Sequence, residues 1–227
     1  MNKGFAIAID GPVASGKGTL APNLAKKLKG FYLDTGVMYR CVALYAIQQG
    51  IDPSSKDVIE KLARELSIEF IDGKTYMDGA DVSERIRTSD VSRAASIVAR
   101  YAGVREQLIR KQKEIAERML KDQKIVILEG RDIATVVLPN AEFKLYLTAG
   151  LEARARRRQA QLAQQGEKVE LEKVINDTSE RDKSDIENKI LVKSPRKHGY
   201  ILIDNSEFTQ EQTLDSALKL LKERKLI

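Results

Sequence analysis

An α/β fold built on a doubly wound parallel sheet is what this sequence predicts, and three features predict it. Short apolar runs alternate with stretches of helical periodicity, the arrangement that gives parallel strands joined by crossover helices. The first run, Phe5-Ala6-Ile7-Ala8-Ile9, feeds into a glycine-rich loop at 11–19, which opens onto Leu20, Leu24 and Leu28, spaced four apart. The 227 residues, 42% hydrophobic and 32% charged, suffice for one such core plus a smaller appendage.

Taken in order, residues 4–9 read as a buried strand and 17–29 as a helix. Pro22 falls a turn into that helix, removes one N–H and is expected to kink it without ending it. Phe31-Tyr32-Leu33 is a second strand ending at Asp34, and 36–49 is a helix carried by Met38, Val42, Tyr45 and Ala46 and stopped by Gly50. Asp52-Pro53-Ser54 starts another helix, with Ser54 and Asp57 as a capping box and Ile59, Leu62 and Leu66 on one face. The period then changes. Ile68 to Ile71 and Lys74 to Met77, separated by Asp72-Gly73 and followed by Asp78-Gly79, read as a small antiparallel hairpin. Such a hairpin cannot join a parallel sheet, so about 60–85 is expected to be an insert on the substrate side. Residues 88–101 are loosely helical, and 103–121 form a helix along Val104, Leu108, Ile115 and Met119.

The core resumes at Ile125-Val126-Ile127-Leu128, followed by Glu129-Gly130-Arg131-Asp132, and continues in the strand Phe143 to Leu147. Two charged helices, about 150–164 and 168–183, break at Gly166 and suggest a helical lid. Tyr200 to Ile203 is the last strand. Thr209 and Gln212 cap the final helix, whose Leu214, Leu218 and Leu221 face inward. The expected organisation is a five-stranded sheet of P-loop NTPase type from 1–35, 102–149 and 198–227, a substrate-side subdomain at 36–101, and a lid at 150–197.

Composition narrows the function. No apolar run approaches a membrane span, and the first apolar pentad meets an aspartate too soon for a signal peptide, which fits a cytoplasmic location. One cysteine, Cys41, and one histidine, His198, exclude a disulfide framework and a Cys/His metal cluster. The net charge of +6 could serve nucleic acid, but aromatics are 5% and tryptophan is absent, so a stacking platform is missing. Cations that hold small anions explain the charge better. Nothing demands more than a monomer.

The chemistry-bearing residues begin with Gly11, Pro12, Val13, Ala14, Ser15, Gly16, Lys17, Gly18 and Thr19. Glycines at both ends let the backbone curl so that several N–H groups aim at one phosphate, and the helix behind adds its positive dipole end. Lys17 supplies a point charge. The strict Walker pattern asks for Ser or Thr directly after the lysine; here Gly18 intervenes and Thr19 carries the hydroxyl. Glu129, at the end of an apolar strand, places a carboxylate where a magnesium-bound water can be ordered. Arg131 and Asp132 follow as a phosphate donor and a base-edge acceptor. Asp34-Thr35-Gly36-Val37-Met38-Tyr39-Arg40 also sits beyond a strand and offers an arginine fork. Arg154, Arg157 and Arg158 lie at i, i+3 and i+4 on one helical face, as Arg181 and Asp185 do on the next helix. A charge run ordinarily marks a solvated face, and Arg156 is read that way. For the other three, phosphoryl transfer demands converging cations.

These motifs in this order resemble the bacterial cytidylate kinase family. The likeness runs the whole chain: the loop ending GKGT, LDTGVMYR at 33–40, Ile86-Arg87-Thr88 with Val91 to Ser96, Val104-Arg105-Glu106, EGRD at 129–132, and Glu180-Arg181-Asp182 leading to Asp185. The resemblance implies ATP-dependent phosphorylation of CMP and dCMP with Mg2+ as cofactor, and makes 36–101 the monophosphate-binding subdomain. Residues 11–19 would hold ATP, with Thr19 and Glu129 at the metal. Ser96, Arg105 and Asp132 would meet the cytosine edge, Arg40 and Arg131 the CMP phosphate, with Thr35 and Tyr39 nearby, and Asp185 the ribose. Lys17, Arg131, Arg154, Arg157, Arg158 and Arg181 would act on the transferring phosphoryl. The chain departs from the family at Asn188, where an arginine is usual, leaving Lys189 or Lys193 as substitutes; Thr35 replaces serine and Glu129 replaces aspartate. The rival readings are a kinase for another acceptor such as UMP, GMP or a metabolite hydroxyl, and a nucleic-acid-stimulated ATPase. A GTP switch would need an N-K-x-D reader, which Asn205-Ser206-Glu207-Phe208 is not.

Overall fold

The computed structural model describes residues 4–71, 73–122 and 124–227. The chain divides into two compact units, one built from the residues up to Leu33 together with Ala116–Ile227, the other from Asp34–Ile115.

The first unit carries a five-stranded sheet. Its strands are β1 (Ala6–Asp10), β2 (Phe31–Asp34), β6 (Val126–Gly130), β7 (Phe143–Thr148) and β8 (Ile201–Asp204), in the spatial order β2-β6-β1-β7-β8. β1 pairs in parallel with β6 and with β7, and β7 in parallel with β8. Every residue of β1 is buried, as expected of a central strand covered on both faces. The chain leaves β1 towards one side of the sheet and later returns to the other. The carboxyl end of β1 is therefore a topological switch point, where open α/β sheets bind ligands. In register, Ile9 faces Glu129 and Asp10 faces Gly130 and Tyr146, which puts Asp10 and the first residues of the EGRD stretch on one edge.

Helix α1 (Lys17–Leu28) packs beside α8 (Gln210–Glu223), and Leu20, Leu24, Phe143, Leu145, Ile203 and Leu221 fill the core they cover. Each such side chain taken out of water contributes about 1.5–3 kcal/mol. Pro22 lies inside α1, and the helix continues past it to Leu28, because the buried leucines on either side hold the register. The capping box expected at the last helix is present: Thr209 Oγ1 accepts from Gln212 N at 3.1 Å, and Gln212 Oε1 accepts from Thr209 N at 2.8 Å. Thr209→Ala should therefore lower the unfolding free energy by about 1 kcal/mol, read from urea titration.

The two charged helices expected to form a lid are α6 (Leu151–Gln164) and α7 (Leu171–Glu187), which meet over Ala155, Leu162 and Val174. α7 starts three residues later than expected and runs on to Glu187, so Asp185 lies within the helix. Between β6 and β7 the chain makes one turn of π-helix, Ile133–Val137, in which Leu138 N reaches back five residues to Ile133 O at 2.7 Å. Helical periodicity gave no sign of it.

The second unit holds α2 (Thr35–Gln48), α3 (Lys56–Glu65), α4 (Ser89–Val98) and a three-stranded antiparallel sheet, β3 (Ile68–Ile71), β4 (Lys74–Met77) and β5 (Ala80–Asp81). α5 (Ala102–Lys121) begins in this unit and ends in the first. The hairpin forms with Ile71 opposite Lys74; of its expected Asp72-Gly73 turn, Asp72 lies outside the described residues, and Gly73 has φ 76°. The core runs along Met38, Val42, Ile59, Ile86, Val91 and Leu108. The capping box expected at Ser54 and Asp57 does not form. The Asp52 carboxylate accepts instead from Ser54 N at 2.9 Å and from Ser54 Oγ at 2.6 Å, closing a turn around Pro53, so the helix starts at Lys56 behind Ser55. Among the described residues no helix is long and apolar enough to cross a membrane.

Candidate active site

The loop after β1 is shaped by close approach. Gly11 has φ 154°, and a Cβ there would stand 2.0 Å from the Leu147 carbonyl oxygen of β7. Only glycine lets the chain turn out of the sheet at this point. Lys17 opens α1, so the first helical turn, with its dipole, faces the loop. Its side chain folds back and is almost wholly buried. Nζ donates to Gly11 O at 2.9 Å, to Pro12 O at 2.8 Å and to Ser15 Oγ at 3.3 Å. The ammonium thus sits inside the ring of the loop, where a phosphate oxygen can replace the carbonyls as its partner.

Glu129 closes the neighbouring strand. Its carboxylate is 4% exposed, and Oε1 accepts from the Tyr32 hydroxyl of β2 at 2.5 Å. A Cβ on Gly18 would lie 3.7 Å from that same Oε1, so the first turn of α1 runs at van der Waals distance from the carboxylate. Thr19 is half-buried on the same turn. Among the described residues no cluster of three or more His, Cys, Asp or Glu side chains is placed to hold a metal. One carboxylate beside a phosphate loop suits Mg2+, which keeps waters and takes its other ligands from substrate phosphates. The donor set therefore fits that ion.

Arg131 and Asp185, expected to hold different parts of one ligand, are held by each other. Arg131 Nε donates to Asp185 Oδ2 at 3.2 Å and Nη1 to Gly130 O at 3.2 Å, with both side chains largely buried. Asp132 precedes the π turn, and its carbonyl accepts from Thr135 N and Val136 N.

The arginines of α6 share a face in sequence and diverge in space. Arg154, 7% exposed, donates through Nε to Ala149 O at 2.9 Å and through Nη1 to Val13 O at 3.1 Å, and pairs with Asp182 at 2.6 Å. Arg157 forks onto Asn205, reaching Oδ1 at 3.0 Å and the backbone oxygen at 2.6 Å. Arg158 donates to Gln161 at 2.7 Å, and burial lowers its guanidinium pKa against the opposing charge of Glu167. Arg154 and Arg157 thus brace the phosphate loop, Arg154 directly at Val13 and Arg157 through Asn205, whose Nδ2 donates to Ser15 O at 3.0 Å. Arg181 is half-buried one turn before Asp185. Asn188 bends back onto its own helix, donating to Ser184 O at 2.8 Å, and Lys189 and Lys193 are exposed.

In the second unit, Arg40 Nη1 donates to Ile86 O and to Ser92 Oγ, both at 2.8 Å, and Ser92 Oγ donates to Thr88 O at 2.9 Å. Ser96 lies one turn further along α4 and donates to Ser92 O at 3.1 Å. Thr35 is buried at the start of α2, which Asp34 caps by accepting from Gly36 N at 2.9 Å; Tyr39 and Arg105 are half-buried.

Four residues at these sites escaped the sequence: Asp10, Ser92, Tyr200 and Asn205. Asp10 had a readable signal, a carboxylate ending an apolar strand, and Ser92 lay within the Val91–Ser96 motif without being singled out; Tyr200 and Asn205 had none. Asp10 is completely buried, and burial raises its pKa to about 6, opposed by hydrogen bonds from Tyr200, Ala134 and Ile133 and helped by the nearby Asp132. The ordinary value is 3.8. The folded state therefore binds the proton more tightly, and this group's contribution to stability is full below about pH 4 and is lost as pH rises through about 6. Melting temperatures across that window should show a fall that flattens in Asp10→Asn. An identical pH profile in that variant would contradict the assignment.

Residues 7–223 match the family model described as cytidylate kinase. Relatives bearing that name are similar along nearly their whole length. The one from Thermotoga sp. (strain RQ2) is 42% identical over 97% of this chain and 98% of its own, and that from Bacillus licheniformis is 38% identical over 99% of each. Among solved structures, shikimate kinase from Acinetobacter baumannii superposes with a TM-score of 0.52 at 14% identity, covering 100% of this chain and 97% of its own, a likeness of fold alone.

Proposed function

This chain belongs to the cytidylate kinase family, and from that premise we propose how its residues divide the work of phosphoryl transfer. The protein is a P-loop nucleoside-monophosphate kinase that passes a phosphoryl group from ATP to CMP and dCMP. The observation that carries the residue assignment is the shared edge of β1 and β6: the loop that folds around the buried Lys17 leaves the end of β1, and Glu129-Gly130-Arg131-Asp132 closes and leaves the adjacent, register-matched β6.

Residues 11–19 receive the triphosphate of ATP. Lys17 exchanges its carbonyl partners for phosphate oxygens, and the loop amides neutralise charge that spreads over the transferred group in the transition state. Arg154 and Arg157 keep the loop in shape from behind; in addition, Arg154, Arg157, Arg158 and Arg181 are assigned to the phosphoryl during transfer. Thr19 and Glu129 are the groups that would hold Mg2+, which supplies charge neutralisation on the phosphates. On the acceptor side, Arg131 takes a CMP phosphate oxygen and Asp185 the ribose hydroxyls, so binding replaces their mutual ion pair with two ligand contacts. Asp132 accepts from the exocyclic amine of cytosine. In the second unit Arg40 is assigned to a CMP phosphate oxygen, held ready by Ser92, with Thr35 and Tyr39 alongside, and Ser96 and Arg105 to the base. We assign the enzyme to the cytoplasm as a monomer with small-molecule partners and no nucleic-acid ligand.

A coupled assay of ADP release against each nucleoside monophosphate tests this reading. CMP and dCMP should turn over fastest. Faster phosphorylation of UMP or AMP would overturn the cytosine assignment.

A further inference from the structure

Asp10 has no place in the scheme above, yet the fold encloses it completely and satisfies it from two other elements. It is the last residue of β1, immediately before Gly11. Its Oδ1 accepts from Ile133 N at 2.8 Å; its Oδ2 accepts from Ala134 N at 2.9 Å and from the Tyr200 hydroxyl at 2.6 Å. Ile133 and Ala134 open the π turn directly after Arg131 and Asp132. Tyr200 stands where the chain returns from the lid to β8, its ring edge-on to Tyr146 of β7 at 5.8 Å. An apolar side chain would pack the end of a central strand at less cost than a buried carboxylate, but it would leave unpaired two backbone N–H groups that, standing first in a helical turn, have no partner within it. The charge is thus spent on joining elements rather than on filling space.

We propose that Asp10 is a positioning residue for phosphoryl transfer: its carboxylate ties the segment that carries Arg131 and Asp132 to the first residue of the phosphate loop, and so sets the separation between the acceptor and donor phosphates. The inference rests on the functional reading above. One carboxylate spans the joint because its two oxygens face different ways, each holding an amide, while the Tyr200 hydroxyl stops the group from rotating about its Cβ–Cγ bond. π turns recur where a helix must deliver neighbouring side chains to a site, and here the carboxylate pins its first two amides. In-line transfer tolerates little error in the approach of the reacting atoms, and a displacement of about 1 Å costs about 100-fold in rate.

Two variants test this beside the wild type, with CMP and ATP as substrates. Asp10→Asn keeps the volume but sets an amide NH2 against a backbone N–H. It should lower kcat by about 30- to 100-fold and raise KM for CMP several-fold, while KM for ATP stays within about twofold. Tyr200→Phe removes one donor of three and should show the same split at about three- to tenfold. Circular dichroism and thermal melts establish the folded fraction, and if Asp10→Asn does not fold, Tyr200→Phe carries the test. A merely structural role would scale activity with the folded fraction and leave both KM values alone. That result, wild-type kinetics in the folded variants, or a parallel rise in both KM values would overturn the proposal. The wild type separates the two levels: inertness towards CMP sinks the functional reading and this inference with it, whereas an active wild type with unaltered variants sinks only the role of Asp10.

Discussion

Lys17→Ala should lower kcat by about three orders of magnitude, the loss expected when a preorganised cation is removed from developing charge in a site that excludes water. That corresponds to about 4 kcal/mol of transition-state stabilisation. The melting temperature should move little by comparison. The ammonium is bound to Gly11 O, Pro12 O and Ser15 Oγ, all within the loop itself, and its removal opens a space that water can enter to satisfy them. Lys17→Arg should not restore the rate, because a planar fork cannot enter a ring sized for a compact ammonium. Steady-state kinetics with CMP as acceptor, paired with thermal melts, decide the matter. A fall in kcat of less than tenfold in folded protein would show that the loop amides and the arginines suffice without the lysine.

The second large effect is on selectivity. Asp132→Ala should reduce the ratio of kcat/KM for CMP over UMP by about 100-fold or more, chiefly through the loss of CMP turnover. A pocket that pairs an exocyclic amine with a carboxylate discriminates strongly, since the wrong base leaves the carboxylate facing a lone pair. KM for ATP should hold, because Asp132 belongs to the segment after β6 and not to the loop after β1. The backbone of Asp132 also receives Thr135 N and Val136 N, bonds that the alanine variant keeps, so the turn survives the change. Selectivity equal to the wild type would remove Asp132 from base recognition and shift that task to Ser96 and Arg105.

Much of the molecule was legible in local pattern. The five strands, the principal helices and the insert hairpin follow from periodicity and turn chemistry, and the Thr209–Gln212 box from a four-residue motif. The failure at Ser54 is equally local: Asp52 competes for the same hydroxyl and N–H from two residues away, and the tighter turn wins. The candidate site was legible where its residues lie in contiguous runs, as at 11–19, 35–40 and 129–132.

What the chain determines by itself is therefore everything that neighbours within a few residues settle: which segments turn, which face of each helix is apolar, and where phosphate-binding chemistry is concentrated. Partner choice belongs to the tertiary structure. Arg154, Arg157 and Arg158 share one helical face, yet Arg154 reaches Val13 and Arg157 reaches Asn205, both on other elements, while Arg158 stays on its own helix at Gln161. Arg131 meets Asp185 from 54 residues away; Asp10 meets Tyr200, and Asn205 meets Ser15, each across 190. Periodicity carries no information over such separations. The strand order, which sets β1 beside β7 with β8 beyond, brings Asp10 to Tyr200 and Ser15 to Asn205, and the return of α7 to the end of β6 brings Asp185 to Arg131.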